Sequence, residues 1–308
     1  MKILVTGGAG FIGSHVVDKY IELGHKVIVI DNLSSGSEHN IHPSAKFYNM
    51  DICSEQLIDV FKNERPEVVN HHAAQKSVPK SVENPKFDAH INIIGLLNVL
   101  QASLDSGVKK FIYVSSGGAL AGDADIIPTN ESVPPKLLSP YAVSKYAGEL
   151  YLRVFSKLYN IKTLTLRYAN VYGPRQIPEG ECGVIPIFLE NFLSNRPSTL
   201  MAYPDQPKGT TRDYVYVDDI VKANVLALTR GENEVLNLGS GNEIHIEEVY
   251  ETMKRVYKHN LPLLRRSERK GDVRRSCLDI SKAKEVLGWE PTISLEEGLQ
   301  KLLKYHQS

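Results

Sequence analysis

Along most of the 308-residue chain, short unbroken apolar runs take turns with longer stretches whose apolar positions recur at helical spacing. Runs at 3–5, 26–31, 46–51, 67–74, 110–116, 162–168 and 235–239 read as buried strands. Phe11, Ile12, Val16, Val17, Tyr20 and Ile21 recur at helical spacing and predict a helix directly after the first strand. A long helix is predicted over 85–106, opened by Pro85, and another over 146–159. Further helices are predicted over 183–193, over 219–229 with Asp218 as its cap, and over 246–258, 281–288 and 295–305. Strand–helix alternation of this kind predicts an α/β fold, a doubly wound parallel sheet with a smaller, interleaved C-terminal α/β lobe. The first lobe is expected over 1–172 with returning segments at about 213–240, and the second over 173–212 and 241–308.

Between the first strand and its helix lies Thr6-Gly7-Gly8-Ala9-Gly10-Phe11-Ile12-Gly13. Gly7 can adopt the angles of a tight turn, Gly10 lets the chain approach a phosphate, and Gly13 lets the helix lie close on the strand. The free N–H groups and positive dipole end of that helix then face a pyrophosphate, which makes this a Rossmann-type nucleotide fold. The second strand ends in Asp31, where the ribose of a dinucleotide would lie, and no arginine follows it directly. A carboxylate there binds the free 2′-hydroxyl of NAD and repels the phosphate of NADP; the competing reading is a turn or capping aspartate. Residues 32–36 form a turn, and Asp51-Ile52 closes the third strand. Ala73-Ala74, at the end of the fourth, would let a cofactor pass close to the backbone. Asn92 is either a buried tie between its helix and the next strand or a cofactor contact.

The fifth strand ends in Ser115-Ser116, followed by a loop of small residues at 117–122 and a polar, proline-containing flap at 123–139. Next come Tyr141 and Lys145, four apart and so on one helix face. A phenol of pKa about 10 is a poor base at neutral pH, and a nearby ammonium favours the phenolate. Lys145 can also reach ribose hydroxyls, and Ser116 can complete the site.

Composition narrows the partners. Charges balance to +0, which argues against nucleic acid or an anionic membrane. No apolar run is long enough to span a bilayer, and the N-terminus shows no signal-peptide pattern. Cys53, Cys182 and Cys277 form no CxxC pair and suit a reducing cytoplasm. His71-His72, neighbours in a strand, point to opposite faces and make a poor chelate, so no metal is expected.

As a set, several segments resemble the extended short-chain dehydrogenase/reductases that act on nucleotide sugars, most of all the UDP-galactose (UDP-glucose) 4-epimerases. The resemblance covers nearly the whole chain. It rests on Thr6–Gly13, Asp31-Asn32-Leu33, Asp51-Ile52, Ala73-Ala74-Gln75, Asn92, Tyr141 with Lys145, the stretch 166–174, the stretch 212–219, and Arg269-Lys270-Gly271-Asp272. It implies an NAD-dependent epimerase with Tyr141, Lys145 and Ser116 as the catalytic residues. Cofactor contacts are implied at Gly7, Gly10, Phe11, Ile12, Gly13, Asp31, Asn32, Ser35, Gly36, Asp51, Ile52, Ala73, Ala74, Gln75, Asn92, Ser115 and Tyr168, besides Tyr141 and Lys145. Substrate contacts are implied at Lys76, Ser116, Tyr141, Asn170, Val184, Tyr203, Arg212, Arg269 and Asp272, in a second lobe that binds the nucleotide sugar. Arg212 and Arg269 would grip the diphosphate; as bare residues, either could instead be a surface ion-pair partner. The helices at 85–106 and 141–159 match those that pair in related dimers, so a homodimer is expected.

Two positions depart from the family pattern: Gly117 stands after the serine pair and Ala121 before the closing glycine. Strand-end alignment makes Ser116 the catalytic hydroxyl, whereas a shift by one residue would put Gly117 there and leave the site without one. Gly117-Gly118 also stands where the related 4,6-dehydratases carry an Asp-Glu pair. An epimerase of N-acetylhexosamine or uronic acid UDP-sugars, a decarboxylase, and a non-catalytic nucleotide-sugar-binding protein are the competing readings. Ser276 falls near the position that limits bulk at the sugar C2.

Overall fold

Seven apolar runs become the strands of one sheet in this computed structural model, which describes residues 1–178, 183–268 and 273–307. Arg269, Asp272 and the polar residues 179–181 lie outside the described residues. In chain order the strands are β1 (Lys2–Thr6), β2 (Lys26–Asp31), β3 (Lys46–Asn49), β4 (Val68–His71), β5 (Lys110–Ser116), β6 (Lys162–Tyr168), β7 (Asn170–Tyr172), β8 (Ser198–Ala202), β9 (Thr211–Arg212), β10 (Tyr214–Tyr216), β11 (Glu234–Leu238), β12 (Ile244–His245) and β13 (Leu263–Ser267). The helices are α1 (Phe11–Glu22), α2 (Leu57–Glu64), α3 (Val78–Glu83), α4 (Pro85–Ala89), α5 (Leu96–Asp105), α6 (Gly117–Ala121), α7 (Pro140–Tyr159), α8 (Val184–Leu193), α9 (Val217–Ala227), α10 (Ile246–Tyr257), α11 (Ser281–Leu287) and α12 (Leu295–Gln307).

The main sheet runs β3-β2-β1-β4-β5-β6-β11, and every pair in it is parallel. Its order reverses between β1 and β4, and a crevice at the carboxyl ends of such a switch point is where an open α/β sheet binds ligands. Strand alternation sets the two faces. Ile3 and Val5 join Val16, Val17 and Tyr20 of α1, while Leu4 joins Leu57 and Phe61 of α2 and Leu96 and Leu100 of α5. A one-residue slip would exchange these faces, and each buried aliphatic side chain is worth about 1.5–3 kcal/mol, so the register is strongly fixed. The first of these clusters continues into Phe188 and Phe192 of α8, Tyr250 of α10 and Leu299 and Leu302 of α12.

Several elements differ from the sequence reading. The fourth strand stops at His71, so His72, Ala73 and Ala74 lie beyond it. The helix expected over 85–106 is α4, a π-helical turn at His90–Gly95, and α5, with α3 before it. The wide turn carries Asn92, whose amide is committed to neighbours on two other segments; such turns recur at functional positions in helices. Helix α7 starts at Pro140, because the Ser139 hydroxyl accepts the Ala142 N–H at 3.2 Å and caps it. Residues 117–121 form a short helix instead of a loop, with the Ser116 hydroxyl accepting from the Ala119 N–H. Asp218 does not cap α9. It sits inside the first turn and pairs with Lys301 at 3.2 Å, while the buried Asp219 accepts the N–H groups of Thr292 and Ile293. Among the described residues no helix is long and apolar enough to cross a membrane.

Within a helix, replacing glycine by alanine ordinarily stabilises by about 1 kcal/mol. At Gly13 the sign should reverse, because a Cβ there would lie 2.2 Å from the Gly7 carbonyl oxygen. Gly13→Ala is expected to lower stability in urea unfolding by about 1–3 kcal/mol. A variant as stable as the parent would show that the turn can yield.

Candidate active site

At the carboxyl end of β1, Gly7 has φ +71°, and a Cβ on it would lie 2.6 Å from the Ala73 backbone nitrogen. The turn after β1 therefore rests directly on the chain leaving β4. Helix α1 opens with no side-chain cap and no acid in its first turn, so its amides, among them those of Phe11, Ile12 and Gly13, are left for an anion. Asp31 is buried; its carboxylate accepts the Ala9 N–H at 3.0 Å and the Leu33 N–H at 2.8 Å. It knits the end of β2 to the glycine turn, and so combines the turn role with a position beside the cradle. Asn32 donates to Asp51 at 2.8 Å, and the other Asp51 oxygen accepts the Cys53 N–H. Ile52 is buried, Ser35 is exposed, and Gly36 packs against the Ala9 backbone. A glycine cradle, an uncapped helix end and a carboxylate at the next strand end fit an NAD dinucleotide laid across the switch point.

The second half of the site lies between β5 and α7. The Tyr141 N–H donates to the Ser81 hydroxyl at 3.2 Å, which fixes the start of α7 against α3. The Tyr141 phenol lies beside the Ser116 hydroxyl. Burial pushes the phenol up to about 12; the Ser116 hydroxyl pulls it down and Asp88 pushes it further up. Lys145 is buried, with its ammonium 4.7 Å from the centroid of the Tyr113 ring. It makes no ion pair among the described residues, and burial lowers it to about 8, against the opposing pull of Glu149 and Asp88. The i,i+4 spacing thus brings Tyr141 and Lys145 to one face, yet the protein's own groups leave the phenol protonated at neutral pH.

Alternation along β5 separates the two serines. Ser115 donates to Glu149 at 2.7 Å, and Glu149 is gripped by Arg167 through Nε at 2.9 Å and Nη2 at 2.6 Å. Both members of that ion pair are buried. Ser115 is therefore occupied by Glu149, and Ser116 is the serine that faces Tyr141. A Cβ on Gly117 would lie 2.3 Å from Leu278 Cδ1, so a larger residue at this departure from the family pattern would need the Leu278 side chain to shift.

Behind the pair lies a buried polar cluster that sequence reading left open. Asn92 accepts the Gln75 N–H at 2.9 Å and donates to the Gln75 carbonyl at 3.0 Å, to Asp88 at 3.1 Å and to Ser144 at 3.1 Å. Its amide is thus a structural tie, running to the segment after β4 and to α7. Tyr168 is likewise engaged: its ring is 6.4 Å from that of His72 and its hydroxyl accepts from Asn224 at 2.7 Å. The His71 ring is paired with the Thr6 hydroxyl at 2.8 Å, and burial drives His72 down to about 3, so it is uncharged.

The residues expected to contact substrate gather more loosely. Arg212 is half-buried, with Nη1 on the Thr211 carbonyl at 2.7 Å, and the Asn170 N–H donates to the Asp213 carbonyl at 2.9 Å. Val184 opens α8, Lys76 is exposed, and the Arg274 guanidinium lies 4.4 Å from the centroid of the Tyr203 ring. Ser276 is buried beside Gly118. Sequence reading missed Asp213, whose buried carboxylate accepts from Ser240 at 2.6 and 2.7 Å, from the Gly241 N–H at 3.2 Å and from the Leu278 N–H at 3.3 Å. Its signal was only its place beside Arg212. The 123–139 segment is stitched down: the Thr129 N–H donates to Cys277, and its carbonyl accepts from Asp279 and Asn237.

Comparison with known proteins agrees with this geometry. The model of the NAD dependent epimerase/dehydratase family matches residues 3–239. A crystal structure of a UDP-glucose 4-epimerase from Thermotoga maritima with UDP-glucose is 49% identical, covers 100% of this chain and 99% of its own, and superposes with a TM-score of 0.96. The UDP-glucose 4-epimerase of Thermus thermophilus, complexed with NAD, is 40% identical with a TM-score of 0.94 and coverage of 100% and 99%. A UDP-glucose 4-epimerase of Mycolicibacterium smegmatis is 40% identical over 100% of this chain and 99% of its length.

The Glu149–Arg167 pair makes a stability prediction. Glu149→Ala strands a buried guanidinium and should cost about 3–5 kcal/mol in urea unfolding. A loss below about 1 kcal/mol would mean that water replaces the carboxylate.

Proposed function

The chain belongs to the NAD dependent epimerase/dehydratase family, and we propose that it interconverts UDP-glucose and UDP-galactose at C4 through a 4-keto intermediate, with Tyr141 as the base. NAD is the cofactor. The observation that carries the reading is the Tyr141 phenol set beside Ser116 at the end of β5, with the buried Lys145 one turn on, beside the switch point that the uncapped α1 faces. Bound NAD⁺ supplies the acceptor for the C4 hydride and a positive charge beside the site.

Gly7, Gly10, Gly13 and the first turn of α1 hold the pyrophosphate, and Asp31 takes a ribose. Tyr141, brought down from its raised value by a neighbouring positive charge, removes the proton of the sugar 4-hydroxyl and returns it after the keto sugar has turned. Ser116 bonds the C4 oxygen and keeps the proton path short. Lys145 orients the ribose. Arg212 holds the diphosphate, so that the sugar can rotate without leaving. The small Ser276, buried beside Gly118, supports a second reading in which N-acetylated sugars also enter.

A homodimer through α3–α5 and α7 is supported by apolar side chains left in solvent there. Leu158 is 68% exposed, Val82 61% and Ile94 52%, and Leu150, Val154 and Leu158 form one i,i+4 stripe on α7. The free thiols of Cys53 and Cys277 suit a reducing cytoplasm, and the balanced charge speaks against nucleic acid as a partner.

Tyr141→Phe should retain NAD and lose turnover by about 10²–10⁴-fold, read by NMR on a panel of UDP-sugars without added NAD. Near-normal interconversion by that variant would remove Tyr141 from the mechanism, and a wild-type protein inert on the whole panel would favour a binding protein. Val154→Glu with Leu158→Glu should sediment as a monomer; an unchanged dimer would place the interface elsewhere.

A further inference from the structure

Asp88, on α4, is 1% exposed, and no basic side chain pairs with it among the described residues. One of its oxygens accepts from Gln75 Nε2 at 2.8 Å and from Asn92 Nδ2 at 3.1 Å; the other is buried with no hydrogen-bond partner. The Asn92 amide nitrogen that reaches Asp88 also donates to the Ser144 hydroxyl, and Ser144 donates to the Tyr141 carbonyl at 3.0 Å. Ser144 lies on α7 between Tyr141 and Lys145, so a single amide separates Asp88 from the turn that carries both.

The other carboxylate near Lys145 is differently placed. Glu149, one turn further along α7, is bidentate to Arg167 of β6 and bonded to Ser115 of β5, so its charge is largely cancelled where it stands. From β5 the Tyr113 ring faces Lys145, and from the end of β4 His71 and His72 face it, both uncharged. Tyr141 faces Ser116 of β5 and Asp88 of α4. Among these groups Asp88 is the anion without a cation of its own.

We infer that Asp88 is a positioning residue for proton transfer: its uncompensated carboxylate, held by Gln75 and Asn92, is the buried negative charge against which Tyr141 and Lys145 hold their protons. This rests on Tyr141 being the base. The sign follows from charge alone. A fixed anion favours the ammonium over the amine and the phenol over the phenolate, so it raises both groups, as the direction of its effect on each shows. Removing it must move both downward.

The test uses the holoenzyme with UDP-galactose, following kcat across pH for wild type and Asp88→Asn, which keeps the shape and the acceptor toward Gln75 and Asn92. Both limbs of the profile are expected to shift to lower pH by about one unit, the scale of one charge at the effective dielectric of proteins. Asp88→Ser removes the same charge with a smaller side chain and should shift the limbs the same way. Loss of activity with both limbs unmoved would reduce Asp88 to a hydrogen-bonding prop and overturn the inference. Failure of both variants to fold would overturn it likewise, in favour of a purely structural part. Tyr141→Phe separates the two claims: if it keeps turnover the base assignment fails, and if it is inert while the Asp88→Asn limbs stay in place, only the role of Asp88 fails.

Discussion

The contact between the Gly7 turn and the chain leaving β4 governs much else in this protein. Gly7 lies against the Ala73 backbone and Gly13 against the Gly7 carbonyl, with no room for a Cβ at either place. That closeness draws the amino end of α1 to the point where the sheet reverses its order, and leaves the helix uncapped toward the same crevice. Asp31 then locks the arrangement by accepting from Ala9 and Leu33. An uncapped helix end and the Asp31 carboxylate share one crevice because three backbone segments touch without side chains between them.

On the other side of the switch point the constraint is the burial of charge. Lys145 is buried and Tyr141 partly so, and this desolvation holds the phenol up and the ammonium down. Two carboxylates act on this pair in different ways. Glu149 is spent on Arg167 and Ser115 and fastens α7 to β5 and β6. Asp88 is held only by amides and keeps its charge for the site. A buried ion pair mainly resists being broken, whereas a buried unpaired carboxylate biases whatever titrates near it.

The C-terminal elements are joined to the sheet by similar buried acids. Asp213 gathers the N–H groups of Ser240, Gly241 and Leu278, and Asp219 those of Thr292 and Ile293. Each acid satisfies backbone donors where loops cross the core, as buried polar groups require. Leu278 is thereby set against Gly117 and Ser276 against Gly118, so the end of β5 packs directly on residues from the far end of the chain.

Local pattern in the chain was enough for the seven strands, their parallel α/β arrangement, the glycine turn with Asp31, and the Tyr141–Lys145 spacing, because each is a short-range matter of periodicity or of residues within a turn of one another. It also singled out Ser116 against Gly117, but on alignment alone. What distant side chains do to each other emerged only from the packed molecule. Asn92 became a tie between Gln75 and Ser144, the cap expected at Asp218 gave way to a hub at Asp219, and the ammonium expected to lower Tyr141 lies over the Tyr113 ring while burial raises the phenol. Burial and charge balance are sums over groups far apart in the chain, and Asp88, in an ordinary stretch of a predicted helix, acquires its part only when α4 packs on α7.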